Sequence, residues 1–150
     1  MVNPAKFELL LANLQRYERT LAELAELSAE SFLADPNRIG NAKYHFVIAI
    51  ECCVDLANHI VSSEGLRMPQ SGADSFAVLA EAGIVAQPSL TDLQAMARFR
   101  NRLVHMYWEV EDALVYEYLT TKLGTLGSFA SALASWAASQ AEETEDGSGS

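Results

Sequence analysis

The chain has 150 residues, half of them hydrophobic, with ten basic and twenty acidic side chains and a formal net charge of −10. That size and composition suit one folded domain with a sizeable core. They argue against a general nucleic-acid binder, which carries a broad basic face. The N-terminus lacks the basic-then-apolar-then-small pattern of a secretory signal. Lys43, His45 and Glu51 interrupt the longest apolar run, so a cytoplasmic protein with no membrane contact is expected. Cys52 and Cys53 are adjacent in a predicted helix, where bridging is strained, and are expected to be reduced packing residues.

The spacing predicts a first helix over about 5–28, with Phe7, Leu10, Leu14, Tyr17, Leu21 and Leu24 recurring at three- and four-residue steps. Such a seam packs antiparallel in a bundle. A short turn at 28–34 is ended by Asp35-Pro36. The second helix, about 37–63, carries Ile39, Phe46, Ile50, Cys53, Ala57 and Ile60 on one face, and Gly65 closes it. A short helix at about 75–82 has Asp74 as a plausible cap and Gly83 as its stop. The fourth helix opens at Ser89-Leu90-Thr91-Asp92, a capping-box-like start, and runs to about Trp108. The fifth, about 111–139, repeats Val115, Leu119, Leu126, Phe129, Leu133 and Trp136, with Lys122 in one seam position. Residues 1–140 therefore read as one all-α antiparallel bundle of about four long helices plus short ones. Residues 141–150 read as a disordered acidic Gly/Ser tail, whose final Gly-Ser-Gly-Ser has the look of an added sequence. Without the tail carboxylates Glu142, Glu143, Glu145 and Asp146, ten basic and sixteen acidic residues leave the body at −6.

Three of the ten cations, Arg98, Arg100 and Arg102, fall within five positions, followed by His105 and Tyr107. At about 100° per residue, Leu93, Met96, Ala97, Leu103, Val104 and Tyr107 form one apolar stripe, with Arg100 in its middle. A guanidinium on a core face is costly unless paired. Glu51 and Asp55 are the carboxylates predicted to orient it. Arg98, Arg102 and His105 share another side, a patch suited to phosphate. Asp55 and His59, four apart, suggest a structural hydrogen bond, and His45 a partly exposed side chain. Trp108, Trp136 and Tyr44 read as packing residues. No metal-ligand cluster appears.

The segment Phe99-Arg100-Asn101-Arg102-Leu103-Val104-His105-Met106-Tyr107 resembles the signature of HEPN-domain toxins of the HepT type, from HepT–MntA (HEPN/MNT) toxin–antitoxin systems. Residues 50–69, from Ile50-Glu51 through Asp55 and His59 to Gly65-Leu66-Arg67-Met68-Pro69, look like the family's second helix and its exit. Asp74-Ser75-Phe76, Leu79-Ala80 and Gly83-Ile84 are similar to its short helix. The resemblance implies a metal-independent endoribonuclease without a cofactor, acting on RNA as a homodimer whose subunits both line one cleft. It implies Arg100 and His105 as the catalytic pair and Asn101 as their support. Tyr107 would be the tyrosine AMPylated by a cognate MntA-type nucleotidyltransferase, as in a type VII-like toxin–antitoxin pair.

The residue types suit that chemistry. RNA supplies its own nucleophile, the 2′-OH, histidine titrates near neutrality, and arginine holds a phosphate bidentately. Cleavage by this route leaves a 2′,3′-cyclic phosphate and a free 5′-OH. Arg100 and His105, however, stand about 140° apart on an ideal helix. Either the helix is irregular there or facing subunits supply complementary members across a two-fold axis. The rival reading is a non-catalytic helical binding partner, or antitoxin, of a nucleotidyltransferase, which the net acidity favours.

Overall fold

A computed structural model describes residues 2–148. Seven α-helices and no strand occur among the described residues: α1 (Pro4–Ala25), α2 (Ala29–Leu33), α3 (Pro36–Ser63), α4 (Gly72–Glu81), α5 (Gln87–His105), α6 (Asp112–Thr121) and α7 (Leu123–Ser148). Four of them are long, as expected. Residues 107–109 form a single 3₁₀ turn between α5 and α6.

Local chemistry sets most of the starts. Asn3 Oδ1 accepts the Lys6 N–H ahead of Pro4, Ser28 caps α2, and Asp35 accepts the Asn37 N–H ahead of Pro36. Proline suits these first-turn positions because its missing N–H would have no partner there. The stops after α3 and α4 fall at Gly65 and Gly83, whose φ of +63° and +75° other residues rarely adopt.

The α1 seam is buried at Phe7, Leu14, Leu21 and Leu24, and every predicted α3 face residue is buried. α1 packs most extensively against α3, and α4 against α5. The 18-residue window of α3 with the highest mean hydropathy, 1.4, is long and apolar enough to cross a bilayer. The interruptions at Lys43, His45 and Glu51 do not prevent that, but half of the window is buried inside the bundle. In the core, Phe99 stacks on Tyr118 at 3.9 Å between ring centroids and meets Phe46 edge-on at 5.3 Å. The two cysteine thiols are free and buried. Burial, then the charge of Asp55, pushes the Cys52 thiol up to about 11, which leaves it inert.

Several boundaries differ from the sequence reading. Ser71, not Asp74, caps α4, with its Oγ accepting the Asp74 N–H. Asp74 instead accepts two hydrogen bonds from Arg67, which also grips Glu81, so the loop after α3 is fastened to α4. α5 starts two residues before Ser89, behind Ala86, which has no capping side chain. The predicted fifth helix is two helices, parted at Lys122. Thr120 and Thr121 turn their hydroxyls back onto the Tyr116 and Glu117 carbonyls, which weakens a helix locally. Breaking there also moves Lys122 from the apolar seam into water. α7 continues past Gln140 to Ser148, where a disordered tail was expected: Ala141, Glu142, Glu143 and Glu145 are good helix formers. Gly149 and Ser150, the end of the predicted tail, lie outside the described residues.

Candidate active site

α5 is pinned by one face. Leu93, Met96, Ala97, Phe99 and Leu103 are buried against the bundle. Phe99 joins the stripe, whereas Val104 and Tyr107 leave it, at 38% and 64% exposure. That rotation sets Arg100 at the edge of the core, facing α3.

Arg100 is half-buried and paired. Its Nε–H and Nη2–H donate to Glu51 Oε1 at 3.1 and 2.6 Å, and Nη1 donates to Asn101 Oδ1 at 3.1 Å. A guanidinium has five N–H donors, so these three bonds fix its plane and leave two N–H groups for another acceptor. Beside it lies a cleft of about 340 Å³ whose lining includes Glu51, Asp55, Gly72, Arg100 and Asn101. Of the two carboxylates expected to orient Arg100, Glu51 does so. Asp55 shares the cleft, but among the described residues no ion pair joins it to Arg100. Burial, and then the charge of Glu51, raises the Asp55 carboxyl above its usual range, against a pull downward from Lys6.

Arg98, Asn101, Arg102 and His105 are exposed. Arg102 and His105 occupy the last turn of α5, where a helix favours positive charge. α5 is continuous through His105, so of the two alternatives, a local irregularity or complementary groups from facing subunits, the first is not found. Among the described residues no hydrogen bond or ion pair joins Arg100 to His105. One chain presents the two side chains on different sides of the helix.

Beyond His105 the backbone turns. Met106 adopts φ −136°, ψ 39°, its N–H donating to the Arg102 carbonyl. Buried Val110 and the Lys43–Asp112 ion pair at 3.0 Å hold the exit. Helix α5 thus ends three residues before Trp108, and Tyr107 stands on the 3₁₀ turn, out of helical register with Arg100. Trp108 is 68% exposed and meets Tyr107 edge-on at 5.3 Å. Reading Trp108 and Tyr44 as packing residues was therefore wrong, although Trp136 does pack against the core. No sequence signal marked Trp108, because its type alone points inward.

The other histidines have structural partners. His59 Nε2 accepts the Asn3 N–H at 3.2 Å instead of bonding Asp55. His45 is half-buried, its Nδ1 bonded to the Asn41 carbonyl. Among the described residues no group of three or more His, Cys, Asp or Glu side chains could hold a metal ion.

The family model described as Ribonuclease HepT-like matches residues 12–133. The chain belongs to the HepT-like ribonuclease family. The mRNA nuclease HepT of Shewanella oneidensis is 43% identical over 60 residues, 40% of this chain and 45% of that protein. The match thus spans less than half the length of that relative. Among solved structures, a chain of a toxin–antitoxin crystallised with AMP-PNP superposes with a TM-score of 0.80 at 25% identity, over 86% of this chain and 97% of its own. A tri-AMPylated Shewanella oneidensis HEPN toxin in complex with MNT antitoxin gives 0.80 at 26%, over 86% and 96%. The cytosolic protein YutE of Bacillus subtilis, of unknown function, gives 0.79 at 19% over 93% of each chain, a likeness of fold alone. In this HepT-like chain the whole matched span is the bundle that carries α5 and its cationic end.

Proposed function

We propose that this chain is the toxin of a type VII-like toxin–antitoxin pair: a cytoplasmic, metal-independent endoribonuclease that acts as a homodimer. A cognate MntA-type nucleotidyltransferase would silence it by transferring AMP from ATP to Tyr107. The observation that carries this reading is Arg100, fixed in plane by Glu51 and Asn101 with two donors free, on the same helix as Arg98, Arg102 and His105. Membership of the family and the likeness to an AMPylated HEPN toxin held by its MNT antitoxin support the same assignment.

In the proposed reaction the 2′-oxygen attacks phosphorus and the P–O5′ bond breaks. His105 handles the proton leaving the 2′-OH or arriving at O5′. Arg100 clamps the non-bridging oxygens as charge builds on them. A two-fold pairing of α5 segments supplies two copies of each group to one cleft, which answers their divergence within one chain. Tyr107, exposed beyond the cationic turn, is open to a transferase. A nucleotide attached there adds negative charge and bulk where substrate phosphate would bind.

The net charge of −10 favours the rival, a helical partner of a nucleotidyltransferase with no activity of its own. Incubation with RNA in the presence of EDTA separates the two. The nuclease yields 2′,3′-cyclic phosphate and 5′-OH ends, and loses that activity in Arg100→Ala and in His105→Ala. Cleavage that EDTA abolishes, 5′-phosphate products, or equal cleavage by wild type and His105→Ala would overturn the proposal.

A further inference from the structure

The C-terminal end of α5 and the 3₁₀ turn after it carry four exposed large apolar side chains, Val104, Met106, Tyr107 and Trp108, at 38%, 40%, 64% and 68% exposure. An exposed apolar patch beside a charged site marks a binding surface more often than chance exposure does. Arg98 and Arg102 lie on one face of the helix, about 6 Å apart along its axis, with His105 completing the row. The row leads directly into the 3₁₀ turn, where the Tyr107 and Trp108 rings meet at 82°. Glu109 and Glu111 follow immediately. These carboxylates repel phosphates, which leaves the arginine row rather than the aromatic end as the place suited to a nucleic-acid backbone.

We infer that Trp108 is a nucleobase-stacking platform, which holds a base of single-stranded RNA next to the phosphate gripped by Arg98 and Arg102. This rests on the nuclease reading and names how its substrate is positioned. The physical need is clear in the charge balance. A body at −6 gains little from long-range attraction to RNA, so affinity must come from contacts that do not depend on net charge. Stacking on an indole is such a contact, and it is sequence-tolerant because every base has a π-face. Tyr107 braces the indole from its edge, which limits the rotamers it must lose on binding. Trp108 is a positioning residue and takes no part in proton transfer.

The test uses the Trp136→Phe protein, in which Trp108 is the remaining indole. The probe is a short single-stranded oligoribonucleotide with 2′-O-methyl groups, which cannot be cut. Trp108 fluorescence should be quenched on titration. Trp108→Ala should weaken binding about five- to a hundredfold, and Trp108→Phe should restore most of it. With cleavable RNA, Trp108→Ala should raise KM by a similar factor and change kcat no more than a few-fold. Binding without quenching, or equal affinity of Trp108→Ala and wild type, overturns the inference while leaving the nuclease reading intact. So does absent binding together with loss of self-association in Trp108→Ala, which would assign the indole to a protein interface. Quenching in the Trp136→Phe protein, where wild type cuts no RNA, would keep the platform and remove the nuclease instead.

Discussion

Replacing Glu51 by glutamine tests whether the Arg100 fork is held for function or for folding. The ion pair is partly wet, with side-chain exposures of 28% for Arg100 and 42% for Glu51. Solvent-exposed pairs contribute about 1 kcal/mol or less, and the substituted amide can still accept through its oxygen. In a domain of this size about 1 kcal/mol lowers Tm by roughly 2–4 °C. The catalytic effect should be larger. One Glu51 oxygen now receives two Arg100 N–H groups, at 3.1 and 2.6 Å, and an uncharged acceptor holds that plane less firmly. A misplacement of about 1 Å at a reacting group can cost about a hundredfold, so a kcat loss of about ten- to a hundredfold is expected, about 1.4–2.7 kcal/mol in barrier. KM should stay constant or fall, because removing a carboxylate beside the clamp leaves more positive charge for phosphate. Steady-state cleavage of a fluorophore-quencher oligoribonucleotide gives both constants, and a thermal melt gives the stability. A kcat within twofold of wild type would make Glu51 a bystander. A drop in Tm beyond about 10 °C, far above what such a pair supplies, would make it a brace between α3 and α5.

Other substitutions probe separate parts of the molecule. His105→Ala should reduce cleavage about 10²- to 10⁴-fold, yet shift urea unfolding by no more than about 0.5 kcal/mol, because the side chain is exposed. Tyr107→Phe should abolish the mass gain of AMP units seen after incubation with the transferase and ATP; a gain that persists would place the modification elsewhere. Phe99→Ala should cost about 3–5 kcal/mol in urea unfolding, since its ring is buried between Phe46 and Tyr118. The Arg67 guanidinium holds the Asp74 carboxyl at about 2, below its ordinary 3.8. The stabilisation is therefore complete above pH 3.8 and lost as pH falls toward 2. Melts across that window should show Arg67→Ala less sensitive to acid than wild type.

The helices were legible because their apolar seams repeat at helical spacing, and the seams at α1, α3 and α7 are the buried ones. Breaks were less legible. Val115, Leu119, Leu126 and Phe129 keep a common stripe across Lys122, so periodicity alone could not see α6 end and α7 begin. The end of α5 was hidden for a related reason: no Gly or Pro stops the chain at Met106. The stop comes from tertiary anchors downstream, buried Val110 and the Lys43–Asp112 pair. Arg100 was readable because an arginine on an apolar face requires an anion, and α3 offered two. Choosing Glu51 over Asp55 depends on side-chain reach across the α3–α5 contact, which sequence does not contain. Trp108 was misread because burial is the default inference for an indole, and only the turn after His105 brings it outward.

The distribution of charge bears on why activity would need two chains. In one chain, α5 gathers three arginines while the body stays acidic, and carboxylates begin again at Glu109. On the proposed two-fold arrangement six of these guanidiniums surround one cleft. Single-stranded RNA contacting them would lose affinity with salt at a slope of up to about −4, taking roughly −0.7 for each neutralised phosphate. One protomer alone would show at most half that slope, with His105 and Arg100 still facing apart. On the proposed arrangement pairing would concentrate positive field and catalytic groups in the same step, so RNA would be engaged only where the complete set of groups exists. An acidic body is compatible with this arrangement, because it discourages binding anywhere else on the surface.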